Sequence, residues 1–166
     1  MGDSGKQVVD ACEKVWPQNN HECNFFLMAV AQELNIVLPV NSTAESIAQR
    51  LRRWFEDKLT FQACTIQEAK HHAGWGRFVV AAATMEQIDK AHQWRVPLNA
   101  AANGHVAVVT PGSGSPGWPR GYWGMHGARG RKNASLSLSF VSKHPEQVDF
   151  YVYRILPPYA PTTLSV

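Results

Sequence analysis

The apolar period changes once along this 166-residue chain, and that change limits the folds open to it. Up to about residue 76, apolar residues recur at spacings of three and four; beyond it they run in short stretches apolar on both faces. Gln7 to Trp16 carries Val8, Ala11, Cys12 and Val15 on one face, a short helix that Pro17 should stop. Pro17 to Glu22 is polar and loop-like. Cys23 to Leu34 is apolar almost all round, the pattern of a buried helix. Val37 to Val40 leaves it in extended form. Asn41, Ser42 and Thr43 offer caps for a helix from Ala44 to Phe55, with Glu45 in its first turn. Thr65 to Ala73 reads as another short helix.

The second half reads differently. Arg77 to Ala83 is a buried strand, Thr84 to Gln93 a short helix and Trp94 to Asn103 a loop. His105 to Thr110 is apolar on both faces, as a central strand must be. Pro111 to Gly121 is a Gly, Ser and Pro-rich turn. Tyr122 to His126 and Phe150 to Leu156 are further strands, the last ended by Pro157 and Pro158. Helices first and strands second give an α+β fold, with the helices on one side of a mostly antiparallel sheet. The length suits a single domain spanning 1–166.

Composition excludes several classes. Hydrophobic residues at 45% and charged ones at 17% are globular proportions, not those of a disordered chain. No stretch approaches the run of about eighteen apolar residues that a membrane span needs. Met1 to Lys6 lacks an apolar signal core, so no entry into a general secretory route by this N-terminus is expected. Cys12, Cys23 and Cys64 form no CxxC, and no second ligand pair follows His21-Glu22-Cys23 at zinc-site spacing. A metal is therefore not expected. Arg50, Arg52, Arg53 and the cluster Arg129, Arg131 and Lys132 would suit a nucleic-acid surface. A net charge of +3 and the lack of a nucleic-acid motif speak against that partner.

One pairing carries chemistry. Cys23 stands where a polar loop meets a buried helix. The first backbone N–H groups of a helix have no partner within it, and with the macrodipole they favour a thiolate and an oxyanion. A thiolate available at neutral pH is the expectation. His105 follows Gly104 and opens the central strand, where an imidazole is placed to serve as base and then to protonate a leaving amine. A third group should orient the ring. His126 is the first candidate, with Asn133, Asn103 and a main-chain carbonyl as others.

The blocks Glu22 to Leu34 and Gly104 to Val109 resemble the two signature blocks of NlpC-type papain-like peptidases: a Cys opening a helix, and a Gly-His-Val opening a strand. The chain is also similar to the type VI secretion amidase effectors (Tae proteins). Val8 to Trp16 resembles their first helix, Tyr122-Trp123-Gly124 their Trp-centred strand and Phe150 to Tyr153 their final strand. The chain departs from them at Asn24-Phe25, where Ser-Gly is usual, and at a stretch of about 84–103 that reads as an insertion. Cys12 also has no cysteine near the C-terminus to pair with. The resemblance implies a papain-like fold and cofactor-free hydrolysis of a peptidoglycan amide next to meso-diaminopimelate, in a peptide stem or cross-link. Cys23 would be nucleophile and His105 base. It further implies delivery by the type VI apparatus into the periplasm of a target cell, and a cognate periplasmic immunity protein. Such a substrate carries carboxylates that Arg129 and Arg131 would meet, with Trp123, and Trp118 beside it, lining the groove. A papain-like hydrolase or acyltransferase with a protein substrate is the alternative.

Overall fold

The computed structural model describes residues 3–38, 43–57, 60–90, 104–125, 129–140 and 145–154. Six α-helices and six strands stand among them, and every strand pairing in the sheet is antiparallel, in agreement with the α+β reading.

The chain opens on three helices: α1 (Asp3–Asn19), α2 (Cys23–Glu33) and α3 (Ala44–Asp57). Pro17 does not stop α1, which runs two residues past it. Proline costs its own N–H and the bond to the carbonyl four residues back. So close to the helix end that loss is tolerable, and Asn19 Nδ2 donates to the Val15 carbonyl at 3.0 Å to close the last turn. α3 begins as expected, with the Thr43 hydroxyl accepting from Ser46 N–H at 3.1 Å. Strand β1 (Phe61–Cys64) then leads into α4 (Ile66–Gly74), and β2 (Val79–Ala83) into α5 (Met85–Lys90). The Trp94 to Asn103 loop lies outside the described residues. Next come β3 (His105–Ser113), β4 (Pro119–Trp123), β5 (Arg131–Ser135), the four-residue α6 (Leu136–Ser139), a 3₁₀ turn (Pro145–Gln147) and β6 (Asp149–Tyr153).

The strands lie in the order β1-β6-β2-β3-β4-β5. β2 and β3 are central, and Val79–Ala83 is buried throughout. A strand buried along both faces needs a layer on each, so the helices do not share one side as the sequence order suggested. Val80, Ala82, Val106, Val108, Tyr122 and Tyr151 face α1, α2 and α3. Val79, Ala81, Ala107, Val109, Trp123 and Phe150 face α4 and α6. The register sets this alternation: Ala82 pairs with Val106, and Ala83 with His105. β4 and β6 begin and end earlier than the apolar runs alone place them. β1, β5 and α6 carry too little apolar pattern to be read at all. No helix among the described residues is long and apolar enough to cross a membrane.

Candidate active site

Phe26, Leu27, Val30 and Ala31 of α2 are buried, and the Trp16 ring meets Phe26 edge-on at 5.4 Å. Each large apolar side chain removed from water contributes roughly 1.5–3 kcal/mol, so the packing that fixes α2 also fixes its first residue, Cys23. The preceding turn occupies the space past the end of β4. Met125 N–H donates to the Asn20 carbonyl at 3.0 Å. A Cβ on Gly124 would fall 2.6 Å from the Glu22 carbonyl oxygen, so only glycine lets the turn this close. Cys23 is thereby brought to the start of β3.

Glu22 is the N-cap of α2, in extended conformation, and its side chain makes no capping hydrogen bond. The backbone N–H groups of Cys23 itself, of Asn24 and of Val106 in β3 favour negative charge on the Cys23 sulfur. Burial nevertheless dominates and pushes the thiol up to about 11, against those three donors and with the Glu22 charge adding to the rise. The expected resting thiolate is therefore overturned: desolvation outweighs the helix terminus, and the sulfur is held as a neutral thiol with donors already in place.

His105 is the residue before Val106. Gly104 takes a φ of +65°, and a Cβ there would lie 2.8 Å from both the Ala83 carbonyl and Glu45 Oε2, so glycine is required at the entry to β3. The His105 side chain lies on the α4/α6 face of the sheet. Its Nε2 is 2.7 Å from Ser139 Oγ, at the end of α6. The Phe140 ring meets it edge-on at 5.0 Å and is itself stacked on Trp118. Burial alone pulls the imidazole down to about 4. Cys23 and His105 thus come to the same end of β3, the sulfur against the backbone of the next residue, but no hydrogen bond joins the two side chains.

The other expected residues are placed unevenly. His126 lies outside the described residues; among those described, the His105 ring's hydrogen-bond partner is Ser139. Sequence reading missed Ser139 because Ser135 to Ser139 alternates serine and leucine, a strand-like period in what is a single helical turn. Trp123 and Trp118 are both 1% exposed and pack in the core beneath α6, so they do not line a groove. Arg131 and Arg129 are on the surface and flank Gly130, where a Cβ would fall 2.9 Å from the Asn20 carbonyl. They therefore stand at the turn that leads into Cys23. Lys132 ties β5 to α1, pairing with Glu13 at 2.6 Å, and Tyr122 O–H donates to the same carboxylate at 2.8 Å. Arg52 pairs with Asp149 at the other end of the sheet, so the two arginine groups do not merge into one basic surface.

All three cysteines are free thiols. Among the described residues, no three His, Cys, Asp or Glu side chains stand together as a metal site. In comparison with known proteins, no family model and no curated protein matches the chain.

Proposed function

We propose that this chain is a cysteine amidase that hydrolyses an amide next to meso-diaminopimelate in the peptide stems or cross-links of peptidoglycan. The observation that carries the reading is the uncapped start of α2 at Cys23, beside the strand that His105 opens, where the Cys23, Asn24 and Val106 N–H groups favour negative charge on the sulfur. Such donors are fixed before substrate arrives and act in a water-poor site, where they stabilise developing negative charge at no reorganisation cost.

The pair rests as thiol and neutral imidazole. As Sγ attacks the carbonyl carbon, its proton passes to His105 and the carbonyl oxygen takes the negative charge, held by the Cys23 and Asn24 N–H groups. His105 then gives the proton to the departing amine, and the C–N bond breaks to leave a thioester. Water, deprotonated by His105, attacks the thioester; the C–S bond breaks, the acid is freed, and the proton on His105 returns to the sulfur. Arg129 and Arg131, beside the turn into Cys23, receive substrate carboxylates. The resemblance to type VI amidase effectors supports a toxin role in a rival's periplasm, with an immunity protein as its natural partner.

Purified peptidoglycan digested by the wild type and by Cys23→Ala tests this, with products identified by mass. Defined stem fragments from the wild type and none from the variant are expected. An unchanged sacculus under reducing conditions at neutral pH sinks the cell-wall reading.

A further inference from the structure

Ser139 is absent from the chemistry above, yet it holds the one hydrogen bond that the structure gives the His105 side chain among the described residues. Both residues are buried, at 2% and 1% exposure, so water does not compete for that bond. Among the described residues, Phe140 stands edge-on to the ring, with Trp118 stacked behind.

The seat of Ser139 is itself fixed. Leu136 at the start of α6 is fully buried. It fills space that Gly121 leaves over β4, where a Cβ would come within 2.7 Å of Leu136 Cδ2. Phe140 N–H donates to the Leu136 carbonyl at 3.0 Å and closes the turn. The hydroxyl is thus held by packing on either side of it.

We propose that Ser139 is the positioning residue for His105: its Oγ accepts the Nε2–H, which leaves Nδ1 bare as the nitrogen that the amidase reading requires to exchange a proton with Cys23. The inference rests on the amidase reading, and chemistry fixes its direction. A base that takes a proton from sulfur and returns it to an amine cycles one ring nitrogen and must keep the other protonated throughout. With Nδ1 cycling, Nε2–H persists in every state, and Ser139 Oγ can accept from it in every state. Were Ser139 the donor, Nδ1 would carry the resting proton and could not take one from the thiol. A hydroxyl differs from a carboxylate here: it sets tautomer and ring angle without adding a charge to stabilise the imidazolium.

Nitrogen-15 spectra of the full chain test the bond without any substrate, with His105→Gln used to assign the signal among the seven histidines. The wild type should show His105 as the Nε2–H tautomer. Ser139→Ala should lose that preference and lower kcat on soluble muropeptides by on the order of 10²-fold, with KM nearly unchanged, since misorientation of a catalytic group is felt in turnover. Ser139→Thr, which keeps a hydroxyl, should restore both. A folded Ser139→Ala with the wild-type tautomer and full turnover overturns the proposal while the amidase reading stands. An Nδ1–H tautomer in the wild type overturns it even if Ser139→Ala does not fold. A wild type that releases no Cys23-dependent fragments sinks the amidase reading instead, and the tautomer still decides the Ser139–His105 bond.

Discussion

Two helices of this protein start beside a cysteine, and only one of them leaves its terminal N–H groups for the sulfur. At α4 the Thr65 hydroxyl accepts from Glu68 N–H at 3.2 Å, and Glu68 Oε2 accepts from Thr65 N–H at 2.7 Å. That capping box takes the Thr65 and Glu68 N–H groups and sets a carboxylate beside Cys64. Burial and then the Glu68 charge push Cys64 up to about 12, where it borders a cleft of about 680 Å³ shared with Arg52 and Asp149. At α2 there is no side-chain cap, and the Cys23 and Asn24 N–H groups turn to the sulfur, joined by Val106 from the sheet. Both thiols are protonated at neutral pH. The difference is the set of donors waiting for negative charge, so a cysteine at a helix start becomes a nucleophile candidate only where the cap is missing.

The largest expected effect separates the two thiols. Cys23→Ala should lower fragment release from peptidoglycan by at least on the order of 10³-fold, as loss of a nucleophile does. Cys64→Ala should leave it within about twofold, because surface-side changes away from the reacting atoms leave the transition state alone. Initial rates on one peptidoglycan preparation decide it, and a Cys64→Ala protein as inactive as Cys23→Ala would remove the contrast.

A second difference appears in acid. His105 belongs to the Cys23 end only, and burial holds it at about 4 against an ordinary 6.5. The unfolded chain therefore binds a proton that the folded chain refuses as pH falls below 6.5. Stability from this group is complete above that pH and is lost progressively down to about 4, by on the order of 3 kcal/mol as an upper bound. In alkali the sign reverses. Cys23 and Cys64 stay protonated in the folded state past the ordinary thiol value of 9.0, so stability falls as pH rises from there. Urea midpoints between pH 8 and 5 should drop for the wild type and stay flatter for His105→Gln. A drop of equal slope in His105→Gln would assign the acid limb to other groups.

Much of the Cys23 end was legible in the sequence because a buried helix and a buried strand each carry a strong periodic signal. The start of α2 at Cys23, the opening of β3 at His105 and the Thr43 cap all follow from local pattern. What the pattern hid depends on long-range packing. The second helix layer was invisible because Ala69 and Ala73 of α4 bury small side chains that leave no apolar stripe. β5, written Arg-Lys-Asn-Ala-Ser, has no apolar alternation because it is an edge strand with mostly exposed side chains. Trp123 is placed in the groove by the substrate that the resemblance implies, yet it is buried, and Gly121 and Gly124 are there to admit Leu136 and the Asn19–Glu22 turn. The thiol's ionisation was misjudged for the same reason: the helix start is local and visible, whereas the burial that outweighs it comes from the whole fold.

Exchanging the caps gives the smallest effect and bears most directly on cause. Glu22→Thr supplies α2 with a side-chain oxygen within reach of the Asn24 N–H, the second of the helix and one of the groups that serve the Cys23 sulfur. It should raise stability by about 1 kcal/mol and lower turnover several-fold, because a donor is withdrawn from the sulfur. The proper reference is Glu22→Gln, which removes the same charge without introducing a cap. Thr65→Ala should do the opposite, costing about 1 kcal/mol while leaving turnover unchanged. Thermal midpoints and initial rates on the same preparations read both quantities. If Glu22→Thr gains stability and keeps the turnover of Glu22→Gln, the open start of α2 is not what activates Cys23, and the Val106 N–H from β3 is left as the donor that distinguishes it from Cys64.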